Sequence, residues 1–271
     1  MSVRKLIFFT AAVAMVCGLA GSAMAESVLT MQSQSNGIET LDNAGGSYPV
    51  VTAVLSMPGT YNGKSYTSYS FLVDDGTGGE DIYGSLNGLG YTPKLGDALT
   101  ITGSVSPYHQ IPELENITAI STQASGGATV TSPVPSTITT LSGGGSGMAG
   151  YTIPNSVAGR LISLTGVTIS GVSGSFGIAN LSGTITDGSG NSMGFYYWPT
   201  SYSAANVNLY GNTVPTGLVN MTGFVSEYPG DVPEFSPITI TPDVVPEPMT
   251  IIPACAGLVL AIGACVRRKF S

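Results

Sequence analysis

The sequence predicts an all-β protein of two tandem five-stranded barrels, framed by an apolar segment at each end. Three observations carry this. Between the ends the chain is rich in Gly, Ser and Thr, sparse in charge and without a sustained 3.6-residue apolar period; its short β-branched runs are separated by Gly, Asn, Asp and Pro clusters, the pattern of strands and turns. A long internal repeat recurs once. Both termini read as targeting segments, which are set aside before the fold is argued.

At the N-terminus, Arg4 and Lys5 precede an apolar run from Leu6 to Leu19, and small residues follow as far as Ala23-Met24-Ala25. A charged start, an apolar centre and an A-x-A site predict a signal peptide over 1–25, cleaved before Glu26. Cys17 also follows an apolar run, but Ala14-Met15-Val16 before it fits a lipidation motif poorly. At the other end Val245-Pro246-Glu247-Pro248 is followed by Met249 to Val266 without a charge, and then by Arg267-Arg268-Lys269. Eighteen residues span roughly 27 Å as a helix, close to the ~30 Å hydrocarbon core, so a transmembrane helix is predicted over 249–266. The basic cluster belongs on the cytoplasmic side of the cytoplasmic membrane, which places the preceding chain outside.

The V-P-E-P tetrapeptide, the apolar span and the short Arg-rich tail together resemble the PEP-CTERM tripartite sorting signal over 244–271, about a tenth of the chain. The resemblance implies an exosortase as partner, processing near Pro246-Glu247-Pro248, and delivery to the cell surface, outer envelope or an exopolysaccharide matrix.

What remains, Glu26 to Val244, holds three basic residues, Lys64, Lys94 and Arg160, against fifteen acidic ones. It contains no cysteine, so its core must hold without disulfides. Residues 26–46 are polar and aperiodic and read mostly as a lead-in. Residues 122–155 read as a linker, with Pro133, Pro135 and Gly143-Gly144-Gly145, carrying one short strand around Ile138 to Leu141.

The repeat organises the two barrels, over 47–121 and 156–243. Thr102-Gly103-Ser104-Val105-Ser106-Pro107-Tyr108 matches Thr222-Gly223-Phe224-Val225-Ser226-Glu227-Tyr228 at five of seven positions. Pro112-Glu113 answers to Pro233-Glu234, and Asp75-Gly76-Thr77-Gly78 to Asp187-Gly188-Ser189-Gly190. The first copy predicts strands at Val50 to Ser56, Ser68 to Val73, Asp81 to Ser85, Ala98 to Val105 and Ile117 to Ser121. The second predicts Leu161 to Ser170, Gly183 to Thr186, Ser192 to Trp198, Leu218 to Ser226 and Ile238 to Thr241. In the fourth strand Leu99, Ile101 and Val105 share a face with Gly103, as Val219, Met221 and Val225 do with Gly223. A glycine at the same place in both copies predicts a bulge or sharp bend.

Five strands, a D-G-[ST]-G hairpin turn and the run Gly96-Asp97-Ala98-Leu99-Thr100-Ile101-Thr102-Gly103-Ser104-Val105 resemble an OB-fold. The second copy departs from that pattern at Thr216-Gly217. Such folds bind single-stranded nucleic acid or oligosaccharides on their second and third strands. Nucleic acid needs a basic groove, and three cations against fifteen anions would repel a polyanion. A neutral glycan is the better expectation: Phe195-Tyr196-Tyr197-Trp198 puts Phe195 and Tyr197 on one face and Tyr196 and Trp198 on the other, and Tyr196, Trp198 and Tyr202 are the candidate ligand face. Purely structural packing of both rows is the plainer alternative.

Asp74, Asp75, Glu80 and Asp81 could offer oxygens to calcium, but lack the spacing of a calcium loop, and a hairpin turn in which Asp75 bonds its own backbone is the simpler reading. Neither a metal nor any other cofactor is expected. With His109 as the sole histidine there is no basis for a His-rich metal site or a Cys-His pair. Glu113 and Glu234 stand one per copy and read as a repeated turn element, so no catalytic residue is assigned. The expectation is a non-enzymatic structural or glycan-binding component of the surface or matrix, with matrix polysaccharide as its ligand; the alternative is an extracellular nucleic-acid-binding accessory protein.

Overall fold

The computed structural model describes residues 25–32, 37–61, 64–108, 111–142, 157–177, 179–198, 209–228 and 232–243. Ala23 of the expected cleavage site, the expected sorting signal from Val245 to Lys269, His109 and Tyr202 lie outside them. Among the described residues no helix is long and apolar enough to cross a membrane.

The described chain opens with β1 (Ala25–Glu26), one helical turn α1 (Val28–Met31) and β2 (Gly37–Leu41). There follow β3 (Val50–Ser56), a small hairpin of β4 (Gly59–Tyr61) and β5 (Lys64–Tyr66), then β6 (Tyr69–Asp74), β7 (Gly79–Gly84), β8 (Ala98–Tyr108) and β9 (Ile111–Ala124). After β10 (Val134–Pro135) and a second turn, α2 (Ile138–Leu141), come β11 (Ile162–Ser170), β12 (Leu181–Thr186), β13 (Ser192–Tyr197), β14 (Val219–Tyr228) and β15 (Val232–Pro242).

Two five-stranded barrels close in the same way. In barrel 1, β3 pairs with β6, β6 with β7, β7 with β9 and β9 with β8, and β8 returns to β3 through Val50 and Ala98. In barrel 2 the ring runs β11, β12, β13, β15, β14 and back to β11. In each, the third and fifth strands are parallel and every other barrel pairing is antiparallel. A strand order of first, second, third, fifth and fourth, closed on the first, is the OB arrangement, present twice.

The repeated glycines make the bends the sequence predicts. The β8–β9 register shifts between Thr102 and Ser104, and the β14–β15 register between Thr222 and Gly223. A β-carbon on Gly103 would lie 2.6 Å from the Glu115 carbonyl oxygen, and one on Gly223 would strike the Ser236 carbonyl. Only glycine lets the neighbouring strand come so close. On either side of these bends Leu99, Ile101 and Val105, and likewise Val219, Met221 and Val225, point into their cores.

Three expectations are corrected. The lead-in is part of barrel 1: β2 pairs with β8 from Gly37 to Leu41, and Leu41, Val28 and Met31 are buried in the core. Ile138 to Leu141 is a helical turn, because the Thr137 hydroxyl accepts the Thr140 amide at 3.1 Å and caps it, while Ile138 and Leu141 bury in barrel 2. Ser27 caps α1 in the same way, through the Thr30 amide. The repeat therefore extends upstream, Ser27-Val28-x-Thr30-Met31 answering to Thr137-Ile138-x-Thr140-Leu141, and each barrel has a capped turn that plugs its core with two apolar side chains. Finally, Glu113 and Glu234 lie within the fifth strands β9 and β15, not in turns.

The barrels touch. Ala53, Leu55 and Leu72 on the outside of β3 and β6 are buried, with Leu161, Phe224 and Ile238 of barrel 2 packed against them. Beside this patch the Arg160 guanidinium pairs with Asp74 at 2.8 Å, and Gln32 donates from Nε2 to the carbonyls of both Gly79 and Ala158.

Candidate functional site

In both barrels the outer face of the second and third strands is the natural place for a ligand, but the two faces differ. That of barrel 1 is partly occupied, since Leu72 packs into the contact with barrel 2. What remains of it is acidic. Asp81 on β7 stands in parallel register with Glu113 on β9, and the Ser70 hydroxyl donates to Asp81 at 3.0 Å. Burial raises Asp81 to about 7 against the Ser70 hydrogen bond, which lowers it, and burial together with repulsion from Asp81 and Glu115 raises Glu113 to about 9. On the opposite face of β7, Glu80 shares the inward side with Ile82; it is fully buried, and neither of its oxygens has a hydrogen-bond partner. Burial holds its carboxyl well above the usual range, reinforced by Asp81 and Glu113. In barrel 2 the matching register position to Glu80 is Met193, a core residue.

The turn after β6 is a backbone device. Asp75 Oδ1 accepts the Thr77 and Gly78 amides, and Oδ2 accepts the Val28 amide at the start of α1. Asp187 accepts the Asn191 side-chain amide as well as the Ser189 and Asn191 backbone amides, and these bonds, the Asn191 side chain first, hold its carboxyl below the usual range. Among the described residues no group of three or more acidic, His or Cys side chains is arranged to hold a metal ion.

The outer face of barrel 2 is hydroxyl-lined. Across β11, β12 and β13 the registered pairs Thr168–Thr186, Ser170–Thr184, Thr186–Ser192 and Ser182–Tyr196 align Thr168, Ser170, Ser182, Thr184, Thr186 and Ser192. The Thr186 and Ser192 hydroxyls lie 2.8 Å apart. Gly194 interrupts the field opposite Glu234 of β15, and a β-carbon there would lie 2.8 Å from Glu234 Cγ, so the absent side chain is what admits the Glu234 stem. Glu234 is half-buried, and its carboxyl is raised by that burial.

Of the aromatic row, Phe195 and Tyr197 are fully buried, with Phe176 stacked edge-on to Tyr197 at 4.9 Å. Tyr196 faces outward but is only 9% exposed: Asn180 donates to its hydroxyl and the Trp198 ring meets it edge-on at 4.9 Å. It supports Trp198 and offers little face of its own, whereas Trp198 remains partly exposed at the end of the hydroxyl field. Sequence reasoning found the aromatic row; it missed the hydroxyl field, whose alternating Ser and Thr in Leu181–Thr186 and Ile162–Ser170 were the available signal, and it missed the Asp81–Glu113 pairing, which only the parallel register brings together. Elsewhere in barrel 2 a pocket of about 220 Å³, lined by Phe176, Leu209, Asn212, Thr213, Ile240 and Pro242 among others, is smaller than the roughly 300 Å³ at which drug-sized ligand sites begin.

No protein-family model matches this sequence, and no curated protein does. Among solved structures, the chain is similar to a replication protein A heterotrimer bound to single-stranded DNA, at 11% identity and a TM-score of 0.33 over 79% of this chain; it spans about half, 51%, of that chain. It is also similar to the Ifi202 HINa domain in complex with double-stranded DNA, at 14% identity and TM-score 0.31 over 74% of this chain and 94% of that one. For the p204 HINb domain the figures are 12%, 0.33, 70% and 93%. Likenesses at these TM-scores carry no argument for ligand or activity. The chain's own strand order and register establish two closed OB-like barrels, one with an acidic outer face partly covered by its neighbour and one with a hydroxyl-lined face beside the half-buried Glu234.

Proposed function

We propose that this chain is a non-enzymatic component of the bacterial surface or extracellular matrix that holds a neutral polysaccharide on the outer face of barrel 2. The observation that carries the reading is that face: six aligned Ser and Thr residues with the partly exposed Trp198 at their end. Hydroxyls that both donate and accept suit sugar hydroxyls, and an indole suits the apolar face of a sugar ring. Charge supports the same choice, since of the three cations between Glu26 and Val244 Arg160 is already paired with Asp74. Tyr202 belongs to the proposal as a neighbour of Trp198 in sequence.

The address completes it: signal removal between Ala25 and Glu26, transient anchoring by 249–266, and processing at Val245-Pro246-Glu247-Pro248 by an exosortase. The test is retention of the full chain in detergent on neutral matrix polysaccharide and on single-stranded DNA, each at low and moderate salt. Polysaccharide retention that persists with salt and falls in Trp198→Ala supports the reading. DNA retention that drops steeply with salt overturns it in favour of a nucleic-acid-binding protein, and sugar hydrolysis abolished by Asp81→Asn with Glu113→Gln overturns it in favour of an enzyme.

A further inference from the structure

The contact between the barrels is built around acidic groups that it leaves almost without cations. The Gly79–Glu80 peptide of β7 packs directly on Gly159: a β-carbon on Gly159 would lie 2.5 Å from the Glu80 Cα and nitrogen. The Gly79 carbonyl accepts from Gln32, which also donates to Ala158 from the barrel 2 side, so α1, β7 and the approach to β11 meet at one point. Immediately along β7 come Glu80, fully buried with both oxygens unpartnered, and Asp81, registered beside Glu113. The titratable and charged groups on the elements packed around them are Asp74 and Asp75 on β6 and its turn, Glu113 and Glu115 on β9, and Arg160 from barrel 2; the residues of α1 and Gln32 are uncharged. Arg160 is committed to Asp74. No other cation is recorded against the cluster among the described residues.

We propose that this cluster makes the joint between the barrels proton-dependent: protonated Glu80, Asp81 and Glu113 keep the start of β7 seated on Gly159, and their ionisation releases it. A neutral carboxyl can remain inside a barrel at modest cost, whereas an unpaired carboxylate cannot. Glu80 is fully buried at the point where its peptide with Gly79 is pressed against Gly159. Relief of the charge therefore comes from β7 lifting at its first residues, which removes the Gln32 bridge. Barrel 2 closes within itself and need not open, whereas in barrel 1 the first residues of β7 part from Asp74 and Val73 of β6. The upward displacement of all three carboxyls agrees with this direction.

Amide hydrogen exchange of the full chain in detergent, read by mass spectrometry from about pH 5 to about pH 10 and corrected for intrinsic exchange, tests it. The expected result is a loss of protection of about tenfold or more at 79–82, 157–162 and 28–32 as pH rises, with 193–197 and 219–225 unchanged. Glu80→Gln, and separately Asp81→Asn with Glu113→Gln, should each move the loss to higher pH or reduce it. Because Asp81 and Glu113 lie on the outer face, the second variant remains informative if the first does not fold. Protection at the joint that is constant across the range, or a loss that persists unaltered in the Asp81→Asn, Glu113→Gln protein, overturns the proposal.

Discussion

Gly79 on β7 and Gly159, three residues before β11, pack backbone on backbone: a β-carbon on Gly79 would sit 2.5 Å from the Gly159 carbonyl oxygen. Gly159 also has φ +63°, which an L side chain seldom adopts. Gly159→Ala meets both penalties at once. It should cost about 1–3 kcal/mol, seen as a lower urea midpoint, with barrel 1 and barrel 2 unfolding in separate steps. Gly188, in an open turn with nothing within 4 Å, is the control, and Gly188→Ala should change little.

Arg160 reaches the same contact from the other side, and Asp74 is 2% exposed at its 2.8 Å partner. Replacing Arg160 with Met leaves a buried carboxylate to which, among the described residues, only the Gly76 amide donates, at 2.7 Å. The expected loss is about 3 kcal/mol. Arg160→Met with Asp74→Asn should recover part of it. A double-mutant cycle in urea checks this; additive losses would mean that the pair is not coupled.

How much of this was legible in the sequence varies by element. The barrels were readable because the repeat and the period-2 runs are local: Leu99 to Val105 and Val219 to Val225 declare their buried face residue by residue. Gly103 and Gly223 declared the bends by recurring at the same place. The plugs were not legible, because Val28 and Met31, or Ile138 and Leu141, are two apolar residues on one turn, too few to show a helical period. Tyr196 misled, since alternation gives its side of the strand but not Asn180 or Trp198 closing over it. The joint was least legible of all: Glu80 reads as one more acidic turn residue until the β6–β7 register turns it into the barrel opposite Val73, and the Gly79–Gly159 approach joins residues far apart in sequence.

The buried carboxyls also set a global pH dependence. Asp81 and Glu113 titrate higher folded than unfolded, so the folded chain holds extra protons between the ordinary carboxylate range and their folded values near 7 and 9. Stability is then full below about pH 4 as far as these groups are concerned, and declines as pH rises towards about 9. Urea midpoints across that range should fall, and in Asp81→Asn with Glu113→Gln the fall should be shallower. A midpoint that rises with pH in the unaltered chain would contradict the assignment.

Gly194 and Glu234 allow the hydroxyl-lined face of barrel 2 to be tested without touching its hydroxyls. In barrel 1 the same two positions carry Asp81 and Glu113; in barrel 2 the glycine leaves space, and Glu234 lays its stem over it. Burial raises the Glu234 carboxyl and so favours its uncharged form. Gly194→Ala puts a β-carbon 2.8 Å from Glu234 Cγ, and because that atom belongs to a flexible side chain, the carboxylate can swing outward at a cost of about 1 kcal/mol or less. Once in water it should titrate closer to an ordinary glutamate. An NMR titration of the Glu234 side chain should therefore show its midpoint move down in Gly194→Ala, with the fold retained. If the face binds a neutral glycan, retention should weaken only modestly in this variant and should not acquire salt dependence; an unmoved Glu234 midpoint would show that the glycine is not what keeps this carboxyl half-buried.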